Sequence, residues 1–513
     1  MFVNPEPNKI NKIELLSKRY SDSIRGQISC FDRIILTGTL PQVSHAQAME
    51  IQMHLRKRKL KDYGDFVSQT ASKLRKDVEL LARQQGLKVD YLLKNIRKEE
   101  RIKEVLQKRG MQPGIVHIFS AQEKCFCFKV KSDYQRGYPR LYYTGGKCLH
   151  YYIYFIDEDL GLCFFRIPTW APFKITFYMN GHNYLASQLD KAQIGYKMLD
   201  NAFTQCEDWS KAQQLADNLS TKQLHESLDR TIERFIPALL KEFVEGVRWS
   251  VSQVEYASDI IFKEPELLQP LYDNLIRESV CSVKADDVAG FLGRKLDPRY
   301  RGEVDTLFNT RIEGRRIRHS YGRCSVKMYD KFGFILRVET TSNDIKMFKD
   351  YREVNHRNGT TSFQIKPLKK SVHSLRNLQH LMAACNRRYL QYLSDLEDSS
   401  RAQLNLEKLS ARVKDKKKRS WKGFNLFDKR DFKIILAVAQ AIHSINGVTN
   451  KMLRSHLPWM SSNQISRTLR RLRNHGIIKK IANTCKYYAT KLGQKTILTA
   501  LHLKARVVVP NMA

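Results

Sequence analysis

Strand-like and helix-like patterns of hydrophobic positions alternate through the first 120 residues of the chain. Residues 28–40, ISCFDRIILTGTL, are rich in β-branched side chains and stop at Pro41, which predicts a strand. Helical periodicity follows at 44–61 and 66–85, and a later charged helix closes at Gly110. This alternation indicates an α/β unit. No glycine-rich phosphate-binding motif follows any of these strands, so no nucleotide cofactor is expected.

The pattern changes to antiparallel sheet at 125–181, where aromatic residues are dense and a five-residue loop ending at Gly161 predicts a hairpin. These aromatic side chains either stack on bases or, as we favour, simply fill a core. Residues 185–295 read as mostly helical. Glu255 and Asp259 would share a helix face there, neutralised by a divalent cation or, as we favour, by arginine.

The segment SVKMYDKFGFILRVETTSND, residues 325–344, predicts a hairpin with a three-residue loop at 331–333 and Gly333 at positive φ. One face would carry Lys327, Tyr329, Arg337 and Glu339, while apolar side chains occupy the other. In this register Lys327 lies opposite Arg337. Because opposed cations are unfavourable, the pair predicts an anion between them, either Glu339 or a phosphate.

Composition adds a strong preference for a polyanionic partner. The chain has 513 residues, 42% of them hydrophobic, and a net charge of +37 from 89 Lys and Arg against 52 Asp and Glu. Residues 401–513 hold 25 Lys and Arg but four Asp and Glu, a net of +21. Such an excess favours nucleic acid, since each phosphate that is neutralised releases counterions. The basic segment 311–323 adds Arg315, Arg316 and Arg318 as candidate phosphate contacts.

Other classes of protein find little support in the sequence. No apolar run approaches the length of a membrane span, and the N-terminus lacks the features of a signal peptide. The ten cysteines include no C-x-x-C pair. We therefore expect a cytoplasmic protein without a membrane partner.

The last part of the chain predicts a compact module of helices and a hairpin. An apolar face recurs at Phe432, Ile435, Leu436, Ala439 and Ile442, and a short helix follows Thr449. A basic helix at 461–476 and two strands at 477–490 come next. This order resembles the winged-helix form of the helix-turn-helix. The resemblance implies that the basic helix contacts a major groove and the wing contacts the backbone. The residues concerned are Arg467, Arg470, Arg471 and Asn474 on the helix, and Lys479, Lys480 and Lys486 in the wing.

The segment KMYDKFGFILRVE resembles the Y-D-K…R-x-E segment of plasmid and phage rolling-circle replication initiators. The resemblance implies that Tyr329 attacks a phosphodiester beside carboxylates that hold a divalent metal. The His-apolar-His hallmark of many initiators is absent. The chain as a whole is also similar to basic proteins of bacterial mobile elements.

Grouped carboxylates are what Mg²⁺ or Mn²⁺ would require. Asp32 is a candidate because it lies within a predicted apolar strand, where an unpaired charge is costly; pairing with an arginine is the alternative. Asp330 and Glu339 are candidates on the hairpin. We expect Tyr329, Asp32, Asp330 and Glu339 to be catalytic, with Asp32 and Glu339 as metal ligands. Lys327 and Arg337 join the candidate nucleic-acid contacts.

We therefore expect an α+β multidomain protein with an N-terminal α/β unit, an antiparallel or mixed sheet body with helical insertions, and a C-terminal winged helix. The predicted parts are 1–124, 125–300, a hairpin-containing segment at 301–396, a basic linker at 397–429 and the module at 430–506. The expected function is nucleic-acid binding in a mobile-element or replication system, with metal-dependent DNA cleavage as a nuclease or nickase. The alternative is a non-catalytic protein that binds a structured RNA, as in a ribonucleoprotein, or a DNA operator.

Overall fold

The computed structural model describes residues 16–397, apart from 94–95, 134, 136, 297–298 and 312–313. It also describes 409–494 and 497, apart from 416–417, 426–427, 443–446, 482–483 and 491. By the clustering of contacts, the chain forms two compact units. One unit comprises residues 16–272 and 285–390; the other holds 273–284 and the described residues from 391 onward.

The strands follow in chain order. They are β1 (Ile24–Thr39), β2 (Val89–Tyr91), β3 (Gly114–Asp133), β4 (Tyr138–Asp157), β5 (Gly161–Pro168), β6 (Ile175–Met179), β7 (Tyr196–Met198), β8 (Phe203–Cys206), β9 (Arg248–Phe262), β10 (Val304–Arg311), β11 (Gly314–Tyr321), β12 (Cys324–Lys331), β13 (Ile335–Ser342), β14 (Lys349–Asn355), β15 (Thr361–Pro367), β16 (Val413–Lys414), β17 (Ser420–Trp421), β18 (Ile478–Lys480) and β19 (Tyr487–Ala489).

The α-helices of the first unit and its borders are α1 (Leu16–Arg19), α2 (Ala46–Leu55), α3 (Tyr63–Gln84), α4 (Lys98–Arg109), α5 (Gly181–Lys191), α6 (Trp209–Asp217), α7 (Thr221–Phe235), α8 (Pro237–Glu242), α9 (Pro265–Ser282), α10 (Ala285–Phe291) and α11 (Leu375–Glu397). The C-terminal helices are α12 (Lys429–Ile442), α13 (Asn450–His456) and α14 (Ser462–Asn474). None of the described helices combines the length and apolar character needed to cross a bilayer.

An eleven-stranded mixed sheet dominates the first unit, in the order β10-β11-β12-β13-β9-β1-β6-β5-β4-β3-β2. Neighbours are antiparallel except for β2 and β3, which run parallel. The α+β class with a mixed sheet and helical insertions is therefore confirmed. The sheet takes strands from residue 24 to residue 342, and β3 crosses residue 124.

Strand β9 corrects the helical reading of residues 185–295, because RWSVSQVEYASDIIF forms the middle of the sheet. Nearly every residue of its second half is buried. On one face, α5 and α6 pack on Ile28, Cys30, Ile261 and Ile335, and on the other face Asn386 of α11 donates to the Ser258 hydroxyl. A strand buried on both faces loses the period-two pattern that sequence reading depends on.

Helix α5 begins at Gly181, directly after Asn180. The Asn180 side chain caps the helix by accepting from the backbone N–H groups of His182 and Asn183. Gly181 is required because a Cβ there would lie 2.0 Å from the carbonyl oxygen of Phe31. The start of α5 is thereby held against β1, next to Asp32.

In the second unit, α12, α13 and α14 precede the β18–β19 hairpin and share one apolar core. Ile465, Leu469 and Leu472 of α14 belong to that core, and a capping box at Ser461 starts the helix. Helix α12 differs from the expectation: Ile434, Ile435, Ala437 and Val438 are buried, whereas Leu436 is exposed. The apolar face predicted for this helix is therefore rotated about the helix axis relative to the observed core face.

Candidate metal centre

Three buried carboxylates, Asp32, Glu255 and Glu339, meet on one face of the large sheet. They lie on the adjacent strands β1, β9 and β13. Each offers a carboxylate oxygen, and these oxygens lie within 4.8 Å of one another. Register explains the grouping, because Glu339 pairs with Ala257 on β9, two residues from Glu255. We call these three residues the acidic cluster.

Asp32 reaches this cluster through an irregularity in β1. Phe31 pairs with Tyr256 and Arg33 pairs with Glu255, so Asp32 is an extra residue without a partner on β9. A bulge of this kind bends a strand and redirects side chains, and bulges often occur beside functional sites. Here it leaves both Asp32 and Phe31 buried.

The hairpin of β12 and β13 places Glu339 in the cluster, with a register that differs from the sequence prediction. Lys327 lies opposite Glu339, and Tyr329 lies opposite Arg337. The expected opposition of Lys327 and Arg337 is therefore wrong. Phe332 adopts φ 57° and Gly333, as predicted, a positive φ of 79°, so the loop lies one residue later. The predicted faces survive because the pairing shifts by two residues and the side-chain period is two.

Arg337 closes one end of the face and is fully buried, with 0% of its surface exposed. Its guanidinium donates to both carboxylate oxygens of Asp259, at 2.6 Å each, and to Asp32 Oδ1 at 3.3 Å. It also donates to the backbone oxygen of Asn201 at 2.8 Å. A bidentate pair of this kind is a structural anchor. Arg337, predicted as a nucleic-acid contact, is inaccessible to a ligand here, and the pairing of Asp32 with an arginine is observed.

Lys327 and Arg33 neutralise the other end of the cluster. The Lys327 ammonium donates to Glu339 Oε1 and lies 3.6 Å from Glu255 Oε1. Arg33 Nε lies 3.6 Å from Glu255 Oε2, and the arginine side chain is 41% exposed. This end of the face therefore meets solvent, whereas the Arg337 end does not.

Two hydroxyl groups complete the surroundings of Glu339. The Tyr329 phenol donates to Glu339 Oε2 at 2.7 Å, and the Thr341 hydroxyl lies 3.3 Å from Oε1 and 3.4 Å from Glu255 Oε1. The structure thus brings three of the predicted catalytic residues, Tyr329, Asp32 and Glu339, to one site.

Electrostatics separates the two ends of the cluster. Burial alone would raise the pKa of Asp32, but the hydrogen bond with His182 and the charge of Arg337 outweigh it and lower that pKa well below its usual range. At the solvent end, burial and the neighbouring charge of Glu339 raise the pKa of Glu255. Burial and Glu339 also raise the pKa of the Tyr329 phenol well above 10.0. The electrostatics therefore favour the ionised form of Asp32 at the Arg337 end and oppose ionisation of Glu255 at the solvent end.

Asp330 is not part of this site. It follows Tyr329 on β12, so its side chain points to the opposite face of the sheet, where its Oδ2 accepts from Gln269 at 3.1 Å. The structure therefore places Asp330 outside the acidic cluster. Glu255 takes its place, and sequence reading considered it only as part of a helix.

The predicted basic residues of β11 divide between the two faces. Arg318 pairs with Lys327 and Arg316 pairs with Tyr329, so both share the face of the acidic cluster. Arg315 lies on the other face, with its guanidinium carbon 5.9 Å from the ring centre of Tyr272. Two opposed cations do occur on this face, but they are Arg318 and Lys327.

The predicted contacts of the C-terminal unit also differ in their surroundings. Arg467, Arg470, Lys479, Lys480 and Lys486 are exposed. Arg471 instead binds Asp431 at 2.8 Å, donates to the backbone of residues 422–423, and lies 3.8 Å from the ring centre of Phe424. Asn474 is half-buried. Arg471 and Asn474 thus contribute less to the exposed surface than the sequence indicated.

No protein-family model and no curated protein match this chain. Among solved structures, the chain shows a weak likeness to the rolling circle replication initiator protein from Geobacillus stearothermophilus. The two share 11% sequence identity with a TM-score of 0.18, over 62% of this chain and 75% of the initiator. The function proposed below therefore rests on the residues of this chain.

Proposed function

We propose that this protein binds DNA and cleaves a phosphodiester bond with a divalent metal held by Asp32, Glu255 and Glu339, in a replication or mobile-element system. The convergence of three buried carboxylates is the observation that carries the proposal. Like charges buried this closely are costly unless cations compensate them. Carboxylate oxygens are the ligands that Mg²⁺ and Mn²⁺ prefer, so the donor set fits either ion.

A metal bound there would polarise a phosphoryl oxygen or activate water. The protein groups have their own roles. Glu339 accepts from Tyr329 and from Lys327, so a ligand at Glu339 competes with Lys327. Lys327 released from Glu339 would pair with a phosphate beside Arg318, its neighbour on β11. When a metal takes the place of Lys327 at Glu339, the charge of Lys327 is therefore balanced by the phosphate.

Arg316 and Arg318 support a path for a DNA backbone toward the cluster. Both lie on β11, on the face of Lys327 and Tyr329 and two strands from Glu339. They are half-buried, which positions them more rigidly than fully exposed arginines. Phosphate contacts of this kind fix the position of a strand without reading its sequence.

The C-terminal unit supplies a second DNA contact in this proposal. Helices α12–α14 and the β18–β19 hairpin have the order of a winged helix, with exposed Arg467 and Arg470 on the third helix. Lys479, Lys480 and Lys486 are exposed in the proposed wing. A basic third helix is suited to a major groove and a basic wing to the backbone.

Tyr329 is the proposed nucleophile only if its phenol can leave Glu339. The 2.7 Å hydrogen bond and the raised pKa keep the phenol protonated in the present arrangement. Attack by water requires no such change. Attack by tyrosine would leave a covalent protein–DNA adduct, and Tyr329→Phe would abolish both the adduct and cleavage. Attack by water would leave no adduct, and Tyr329→Phe would still cleave.

The cleavage test uses supercoiled plasmid and circular single-stranded DNA with Mg²⁺ or Mn²⁺. We expect nicking or linearisation by the wild type and loss of at least about 100-fold in rate for Glu339→Gln or Glu255→Gln. Asp330→Asn is the matched control, since it changes a carboxylate of the same hairpin on the other face. Cleavage that persists in both glutamine variants would refute the assignment.

A non-catalytic role is the second candidate, and one observation favours it. Lys327, Arg33 and Arg337 already neutralise the carboxylates without a metal. In this case the protein would hold a structured RNA or a DNA operator, and the cluster would stabilise the sheet. Nucleic acid that copurifies intact, with no cleavage under either metal, would favour this function.

A further inference from the structure

Strands β3 and β4 continue beyond the rest of the sheet as a two-stranded arm. β2 pairs with β3 only at 118–120, and β5 pairs with β4 only at 150–157. Residues 122–133 and 138–149 therefore pair only with each other among the described strands. We call these residues the hairpin arm.

One face of the hairpin arm exposes two aromatic rings. Phe126 is 69% exposed and Tyr143 is 53% exposed, and their rings stack at a centroid distance of 5.4 Å and an angle of 11°. Burial of aromatic rings is favourable, so two neighbouring rings this exposed do not serve a protein core. Such a pair is typical of a surface that stacks on a ligand.

A groove lies directly beside this pair. Gly145 is opposite Phe126 in the ladder, and a Cβ at Gly145 would meet no atom within 4 Å. The groove has a volume of about 630 Å³ and is lined by Phe126, Gly145 and Gly146 together with two lysines. Its floor is open because residue 145 has no side chain. The neighbouring Gly146 is different, since a Cβ there would lie 2.7 Å from Cys127 Sγ.

The two lysines carry the electrostatic part of the inference. Lys124 and Lys147 pair directly across the arm, both exposed, and neither forms an ion pair within the described parts of the chain. Like charges in directly opposed positions repel. An anion between the two ammonium groups would remove that repulsion. On this face of the arm, the lysine pair is the immediate neighbour of the Phe126–Gly145 pair.

We propose that this groove binds one nucleotide of single-stranded DNA. Its base stacks on the Phe126–Tyr143 pair in the space above Gly145, and its phosphate binds between Lys124 and Lys147. Aromatic rings interleaved with cations are the usual means of holding a single strand without reading its sequence. The inference rests on the proposed function, since it names the form of DNA that the body of the protein holds.

The test measures fluorescence anisotropy of labelled dT12 and of an abasic strand of equal length and charge. Stacking of one base predicts that Phe126→Ala weakens dT12 binding by about 5- to 150-fold. The abasic strand should bind both proteins equally. Lys124→Ala and Lys147→Ala should weaken both strands and each lower the slope of log affinity against log salt by about one.

Gly145→Val tests the groove without removing a contact. The free protein has open space where the Cβ of residue 145 would lie, so the variant should keep the wild-type stability while losing dT12 affinity to a similar degree. Tyr138→Ala is the matched control, because Tyr138 is an exposed aromatic residue on the opposite face of the same arm. It should leave dT12 binding unchanged.

Several outcomes would overturn the inference. They are equal losses for Tyr138→Ala and Phe126→Ala, an equal loss on the abasic strand for Phe126→Ala, or unchanged dT12 binding in Phe126→Ala and Gly145→Val. A Phe126→Ala variant that alters self-association in sedimentation but not DNA binding would assign the face to a second copy of this chain instead. Retained dT12 binding by a protein that cleaves no DNA would refute the nuclease proposal alone and leave this groove supported.

Discussion

Replacement of Arg337 by methionine should remove the main support of the sheet face that holds the acidic cluster. The guanidinium has no solvent exposure and makes two 2.6 Å bonds to Asp259. Methionine fills much of the volume but leaves Asp259 buried without its partner and weakens the hold on Asp32. Breaking a buried pair on one side costs about 3–5 kcal/mol of the free energy of unfolding.

Most of the lost stability in Arg337→Met should come from the unpaired charge of Asp259. Arg337→Met combined with Asp259→Leu removes both charges, and a hydrophobic replacement of a buried pair is often neutral. We therefore expect the double variant to recover about 2 kcal/mol or more relative to Arg337→Met alone. Arg357→Met, at an exposed turn, is the control and should change stability by less than about 0.5 kcal/mol.

Hydrogen exchange resolved by peptide is the suitable assay, because the chain forms two compact units and a single melting curve would not be two-state. Peptides from β9 and β13 report the opening of the sheet alone. A cost below about 1 kcal/mol for Arg337→Met, or a double variant as unstable as the sum of the two single variants, would show that the Arg337–Asp259 pair does not support the sheet.

The dependence on pH has a defined sign. Burial opposes ionisation of Asp259, but the charge of Arg337 and the hydrogen bond with His182 lower its pKa, and the pKa of Asp32 is also lowered. The stability from these lowered pKa values is present above about 3.9, the ordinary aspartate pKa, and is lost as the pH falls through the folded-state values. The deficit of Arg337→Met should thus be largest near neutral pH and shrink toward a pH of about 3.

Three other variants test separate parts of the structure. Gly181→Ala should lower the hydrogen-exchange protection of α5 and β1, since its Cβ would lie 2.0 Å from the Phe31 carbonyl oxygen. Gly64→Ala, with open space around it, should not lower that of α3; equal effects would contradict this packing. Lys327→Met should increase the thermal stabilisation by Mn²⁺, because it removes the cation that competes at Glu339, and an unchanged shift would argue against a metal there. Arg471→Met should destabilise the C-terminal unit by about 1–3 kcal/mol through loss of the Asp431 pair, whereas Arg470→Met should weaken only DNA binding; the reverse pattern would assign Arg471 to the DNA surface.

Sequence alone predicts the local features of the site well. The apolar alternation in the β12–β13 hairpin identifies the face of Tyr329 and Glu339, and the lone carboxylate in an apolar strand identifies Asp32. These predictions succeed because they depend on side-chain periodicity and on the cost of an unpaired buried charge.

The errors arise where tertiary structure overrides the local pattern. Glu255 was predicted to lie on a helix, because the second half of β9 is buried on both faces and shows no alternation. The pairing of Lys327 was wrong because Phe332 takes a left-handed conformation that loop statistics do not assign to phenylalanine. The bulge at Asp32 has no sequence signal of its own, since it depends on the register of a strand more than 200 residues away.

Binding of Mn²⁺, measured by calorimetry and by electron paramagnetic resonance, tests the proposed metal centre most directly. We expect a bound ion at the acidic cluster that is lost in Glu339→Gln and in Glu255→Gln but kept in Asp330→Asn. Binding that is absent from the wild type, or that persists unchanged in both glutamine variants, would contradict it.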